Sequence, residues 1–103
     1  MDKKFVEEFA KAAVSYGKAV YQHQELLELV KRQKSTLATL QRWEKKPETR
    51  KVSAHALEVL RQEILTYQQR IWSDTRDSKL VGSGVARLKH ALETKTRQLV
   101  AAK

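Results

Sequence analysis

A single proline, Pro47, stands in the whole chain, and on both sides of it apolar residues return every three or four positions. That spacing is the helical period, and it constrains the fold more than any other feature of the sequence. Strands need an alternating pattern bounded by clusters of turn residues, but only three glycines and one proline occur in 103 residues. Apolar residues make up 41% of the chain, too many for a disordered polymer, and charged residues make up 32%, as a folded helical surface requires. The expected fold is therefore all-α, a single helical domain over residues 1–103.

The first helix is expected from Phe5 to Trp43. Phe9, Ala13, Tyr16, Val20, His23, Leu27, Val30 and Leu37 form its stripe, with Lys34 as the polar member and Phe5, Ala12, Leu26 and Leu40 widening it. Asp2 is placed to cap it, and Glu7 and Glu8 lie early enough to complement the helix dipole. Gly17 is its weak point, at roughly 1 kcal/mol against alanine. Pro47 disfavours helical geometry at Lys46 and so ends the helix. Ser53 then caps a second helix whose seam is Leu57, Leu60, Ile64, Tyr67 and Ile71. The run "SDTRDSK" reads as its end, with a loop inside 74–83. A third helix follows from about Ser83, or from Ser78 if "GSG" is tolerated inside it, with Val85, Leu88, Leu92 and Leu99 as its seam.

Those three lengths do not match. The first helix would reach about 60 Å and each of the others only about 30 Å. A short-looped hairpin of the second and third helices would leave Phe9, Tyr16 and Val20 in water. Either the chain breaks near Gly17 and folds back, or a second copy covers the stripe. With no turn cluster near Gly17, the second solution is preferred: a small bundle of three helices completed by dimerisation, with Phe9, Tyr16 and Val20 as interface residues. Trp43, among the bases of "QRWEKK", is placed to lodge in a partner's pocket, to stack on a nucleobase or simply to cap the bundle end.

Charge is unevenly placed. The chain carries net +9, of which residues 31–51 hold +6 and residues 78–103 hold +5, while residues 1–30 and 52–77 are each −1. In an up-down-up bundle Lys95, Arg97 and Lys103 come beside the Pro47 bend and join Arg42, Lys45, Lys46, Arg50 and Lys51 in one basic pole. Such a pole has a structural use, because cations offset the dipoles of helix C-termini. It also suits a polyanion such as nucleic acid.

Catalytic and metal chemistry find little support. There is no cysteine, so thiol nucleophiles and Cys-based zinc sites are excluded. His23, His55 and His90 are isolated, apart from Glu93 three positions after His90, and a metal usually needs three or four protein ligands. His23 lies on the apolar stripe, where it can act as a polar register residue. "VGSGVARLK" lacks both the preceding strand and the terminal Lys-Ser/Thr of a phosphate loop. Neither a membrane-spanning run nor a secretory signal is seen, so a cytoplasmic protein is expected. Basic stretches without adjoining bulky apolar residues argue against docking on a membrane.

Taken together, these features point away from an enzyme and require no cofactor. They favour a protein-interaction module, a dimerising helical bundle acting as adaptor, assembly factor or chaperone-like partner to another protein. The alternative is a nucleic-acid binder working through the basic pole, although no helix-turn-helix, zinc finger or stacking sheet is present in the sequence.

Overall fold

The computed structural model describes residues 3–101. Asp2 and Lys103 lie outside the described residues, as does the side chain of Arg50. Three helices follow one another: α1 (Lys3–Lys45), the single turn α2 (Pro47–Arg50) and α3 (Ala54–Ala101). No strand occurs among the described residues.

The chain reverses where the proline demands. Lys46 adopts extended geometry (φ −70°, ψ 134°) and Pro47 opens α2, where its missing N–H costs nothing. Through the bend each carbonyl finds a donor three residues on: Lys46 N–H donates to Trp43 O, Thr49 N–H to Lys46 O, and Val52 N–H to Thr49 O. Ser53 caps α3 as expected, its hydroxyl accepting from the Ala56 N–H at 3.2 Å. Arg42 and Lys45 fill the last turn of α1, where they oppose the dipole. Glu7 and Glu8 fall beyond the first turn, which carries no acid among the described residues.

The second reversal does not occur. α3 runs unbroken through 74–83, and both Gly82 and Gly84 are helical with no positive φ. Glycine and serine cost a helix at most about 1 kcal/mol each, which packing against a neighbour can offset; only proline would compel a break, and none is present. The seam that began at Leu57 continues in the same three-four step through Asp74, Ser78, Val81, Val85, Leu88, Leu92, Lys95 and Leu99. Every one of these is buried or half-buried. α1 has the matching seam Phe5, Phe9, Ala12, Tyr16, Ala19, His23, Leu26, Val30, Gln33, Leu37, Leu40 and Glu44. Its polar members are His23, Gln33 and Glu44, whereas Lys34 and Leu27 are exposed, a correction to the expected stripe.

The contacts divide into two compact units. In the first, Met1–Glu25 pairs with Ser78–Lys103. Lys95 Nζ lies over the Phe5 ring at 5.8 Å, and His23 packs on Gly82, so the strands of helix run antiparallel. Phe9, Tyr16 and Val20 are half-buried here, covered by the C-terminal part of α3. The length mismatch that called for a second copy over this stripe is gone, because α3 at 48 residues is longer than α1 at 43. The second unit, Leu26–Asp77, is a helical hairpin closed by the Pro47 bend. Val30 and Ile64 are each only 7% exposed and lie in its seam.

Gly82 is a close-approach glycine. A methyl group there would sit 3.0 Å from His23 Nε2, while the same group at Gly17 or Gly84 would meet nothing within 4 Å. Gly17→Ala and Gly84→Ala should therefore each raise stability by roughly 0.5–1 kcal/mol in urea unfolding. Gly82→Ala should gain clearly less, and the missing gain should return when His23→Ala is added. Equal gains at Gly82 and Gly84 in the wild-type background would show that His23 does not occupy that notch.

Candidate interaction surfaces

A pair of helices removes one stripe of each from water and leaves two flanks. In the Leu26–Asp77 unit the flanks can be told apart by one bond. Gln33 donates its side-chain amide to Asp74 Oδ2 at 2.9 Å, across the edge of the seam. Both residues are displaced in the same sense from their seam neighbours, by roughly 60° at 100° per residue. Positions one before each seam residue therefore share the Gln33–Asp74 flank. On α1 these include Leu29, Thr36 and Trp43, spaced by seven, with Arg32 and Thr39 between them; on α3 they include Val59, Glu63, Thr66, Arg70, Ser73 and Asp77. Leu29 is 41% exposed, Trp43 49% and Val59 54%.

Positions one after each seam residue share the opposite flank. There α1 presents Lys31, Lys34 and Lys45, with Arg42 a further step around, and α3 presents Arg61, Leu65, Gln68 and Trp72, with Arg76 behind. Glu58 is its acid, near the bend. Trp72 is 67% exposed, the Arg76 guanidinium stacks over its ring at 5.1 Å, and a depression of about 440 Å³ lies beside it between Leu65, Gln68, Gln69 and Ser73. Arg76 also pairs with Asp77 at 3.9 Å, and Lys31, Lys34 and Lys45 are exposed.

The expected basic pole is only partly assembled. Arg42, Lys45, Lys46 and Lys51 are exposed at the bend, Arg42 donating to Thr39 Oγ1 at 3.2 Å. Lys95 and Arg97 do not join them. Their place beside the bend depended on a reversal within 74–83; with α3 continuous, Lys95 sits instead on Phe5 near the start of α1. The flank cations Lys31, Lys34 and Arg61 were not singled out as a surface from the sequence. Trp72, whose place at the end of the Leu57–Ile71 seam leads one to expect burial, is instead 67% exposed because it falls one step past the seam. The signal that would have found them is the phase of the seam: each lies next to a seam position, on the same side.

Other chemistry is sparse. Among the described residues no group of three or more His, Cys, Asp or Glu could hold a metal ion, and no helix is long and apolar enough to cross a membrane. The Glu25 carboxylate, accepting a hydrogen bond from the Tyr21 hydroxyl, raises that phenol above its ordinary range.

The seam bond itself can be tested. Gln33 Oε1 is buried with no hydrogen-bond partner, so the Gln33–Asp74 contact satisfies only one end of the amide. Asp74→Ala should cost about 1.5–3 kcal/mol by leaving the amide N–H without its charged acceptor. Gln33→Leu combined with Asp74→Leu should recover most of that loss in urea unfolding, because neither polar group then remains at the seam.

With these surfaces described, comparison with known proteins adds no relative: no protein-family model, no curated protein and no solved structure matches the chain.

Proposed function

We propose that this chain is a non-enzymatic interaction module whose helical pairing is completed by association, with a second copy of itself as the first partner. The observation that carries the reading is its surface. The accessible area is 8024 Å² for a chain of 11.9 kDa. A folded monomer of that mass is expected to expose only about 5,900 Å². The excess is roughly 2,000 Å² per chain, so two copies hiding it would bury about 4,000 Å² in all, within the range of obligate homodimer interfaces. No side chain among the described residues is fully buried, and the hydrophobic core consists of Val30 and Ile64. Two helices alone cannot enclose a core, since each residue off the seam has water on its outer side; a further helix pair supplies the missing walls.

The Gln33–Asp74 flank is the surface we assign to this association. Leu29, Thr36 and Trp43 recur at the heptad interval that helix-to-helix packing uses. Glu63, Arg70 and Asp77 beside them are of mixed sign, so two identical copies can meet there without like-charge repulsion. The opposite flank, with its concentration of lysines and arginines, would repel its own copy. Thus Trp43 retains the interface role expected from its sequence, while Phe9, Tyr16 and Val20 are taken up within the chain.

The expected outcome in sedimentation equilibrium is a species of twice the chain mass at about 100 µM, with a thermal midpoint that rises with protein concentration. Leu29→Asp with Trp43→Asp should shift the chain to monomer or to unfolded protein, while the milder Trp43→Ala weakens association by roughly tenfold or more. A wild-type chain that stays monomeric at that concentration, with a concentration-independent and cooperative melt, contradicts the reading.

A further inference from the structure

The other flank of the Leu26–Asp77 unit carries a different partner. We propose that it binds single-stranded nucleic acid, with phosphates on the lysines of α1 and a base stacked at Trp72. The inference does not rest on self-association, which uses the Gln33–Asp74 side.

Register supplies the first argument. Counting from the Gln33–Asp74 contact, one step forward along α1 corresponds to one step back along α3. Lys34 therefore stands level with Trp72 and Ser73, Lys31 with Arg76, Arg42 with Leu65, and Lys45 with Arg61 and Gln62. Cations thus bracket an aromatic at each end, over about 20 Å of helix. A row of cations for the backbone together with an exposed ring is an arrangement single strands use, because every base has a face that can stack.

The side chains supply the second argument. Trp72 lies outside the seam and is two-thirds in water, an unfavourable place for the largest apolar side chain. Arg76 holds one ring face at 5.1 Å, and the 440 Å³ depression opens beside it. The walls of that depression are Leu65, an apolar contact for a base, and Gln68 and Gln69, whose amides both donate and accept hydrogen bonds. A duplex, with its bases stacked inside, offers nothing to Trp72. An acidic peptide would satisfy the lysines but leaves the ring and the two amides without a role. Lys31, Lys34 and Lys45 are exposed, so the counterions they hold can be released by a polyanion.

The test uses the full chain and a fluorescently labelled oligo(U) or oligo(dT), with anisotropy read across a salt series. Binding should persist at about 0.15 M salt and weaken with a log–log slope of roughly 0.7 per phosphate engaged. Lys34→Glu with Lys45→Glu should weaken binding and flatten that slope by about 1.4. The same charge change at Lys11 and Lys18, exposed cations of the other unit, should do neither. Trp72→Ala should weaken binding roughly 5- to 100-fold, and in a Trp43→Phe chain the remaining tryptophan emission should be quenched by the oligonucleotide. Helical circular dichroism of each variant establishes that it is folded; should Trp72→Ala fail that control, the quenching of Trp72 in the otherwise intact chain decides. Absence of quenching, equal loss on reversing Lys11 and Lys18, or equally tight binding of duplex or of polyglutamate would each overturn the proposal, the last in favour of an acidic protein partner.

Discussion

Everything in this protein hangs on a heptad-spaced seam that keeps its phase from Leu57 to Leu99 on α3 and from Phe5 to Glu44 on α1. Because the steps of three and four never skip, within each unit the side chains of the seam meet the facing helix at the same angular position turn after turn. That continuity makes α3 long enough to cover Phe9, Tyr16 and Val20, and it carries the helix across the Ser, Asp and Gly residues of 74–84. It also fixes what lies outside. One stripe per helix is hidden, and every other residue belongs to a flank or to an outer face.

The seam is not uniformly apolar, and its polar members set the register. Gln33 and Asp74 bond across it, Ser78 is buried at 6% exposure, and His23 lies over Gly82. An all-leucine seam could slide by a heptad at little cost, since each position would meet an equivalent one. Sliding here would separate the amide from its carboxylate and drive the imidazole against a side chain bulkier than glycine. Polar residues at core positions weaken packing, and they are tolerated because they discriminate one alignment from the others. Gln33 Oε1, buried without a partner, is the visible cost.

The two flanks of the Leu26–Asp77 unit differ in electrostatics, and this difference separates their proposed uses. One mixes Glu63, Asp74 and Asp77 with Arg70 around Leu29 and Trp43; the other gathers Lys31, Lys34, Lys45 and Arg61 around Trp72. A surface of mixed sign can meet its own copy, and a surface of one sign needs an opposite partner. Cations at the bend have a second duty. Arg42 and Lys45 occupy the last turn of α1, where they oppose its dipole whatever else they bind.

Local chemistry was enough for the sequence to determine the helical class, the reversal at Pro47, the cap at Ser53 and the seam of the first half of α3. A missing N–H, a β-region residue before proline and a hydroxyl at the N-cap act over one or two residues and need no distant partner. The continuity of α3 was within reach too, because Ile71 and Val85 are two heptads apart and so share one phase. What hid it was the polar run between them, which reads as a loop when each residue is judged by its own propensity. Only the tertiary structure decided that Asp74, Ser78 and Gly82 face a helix, because their partners Gln33 and His23 lie 41 and 59 positions away. The same long-range pairing set Lys95 on Phe5. Propensity is summed along the chain, but burial is settled across it, and the second outweighs the first wherever a helix has another to pack against.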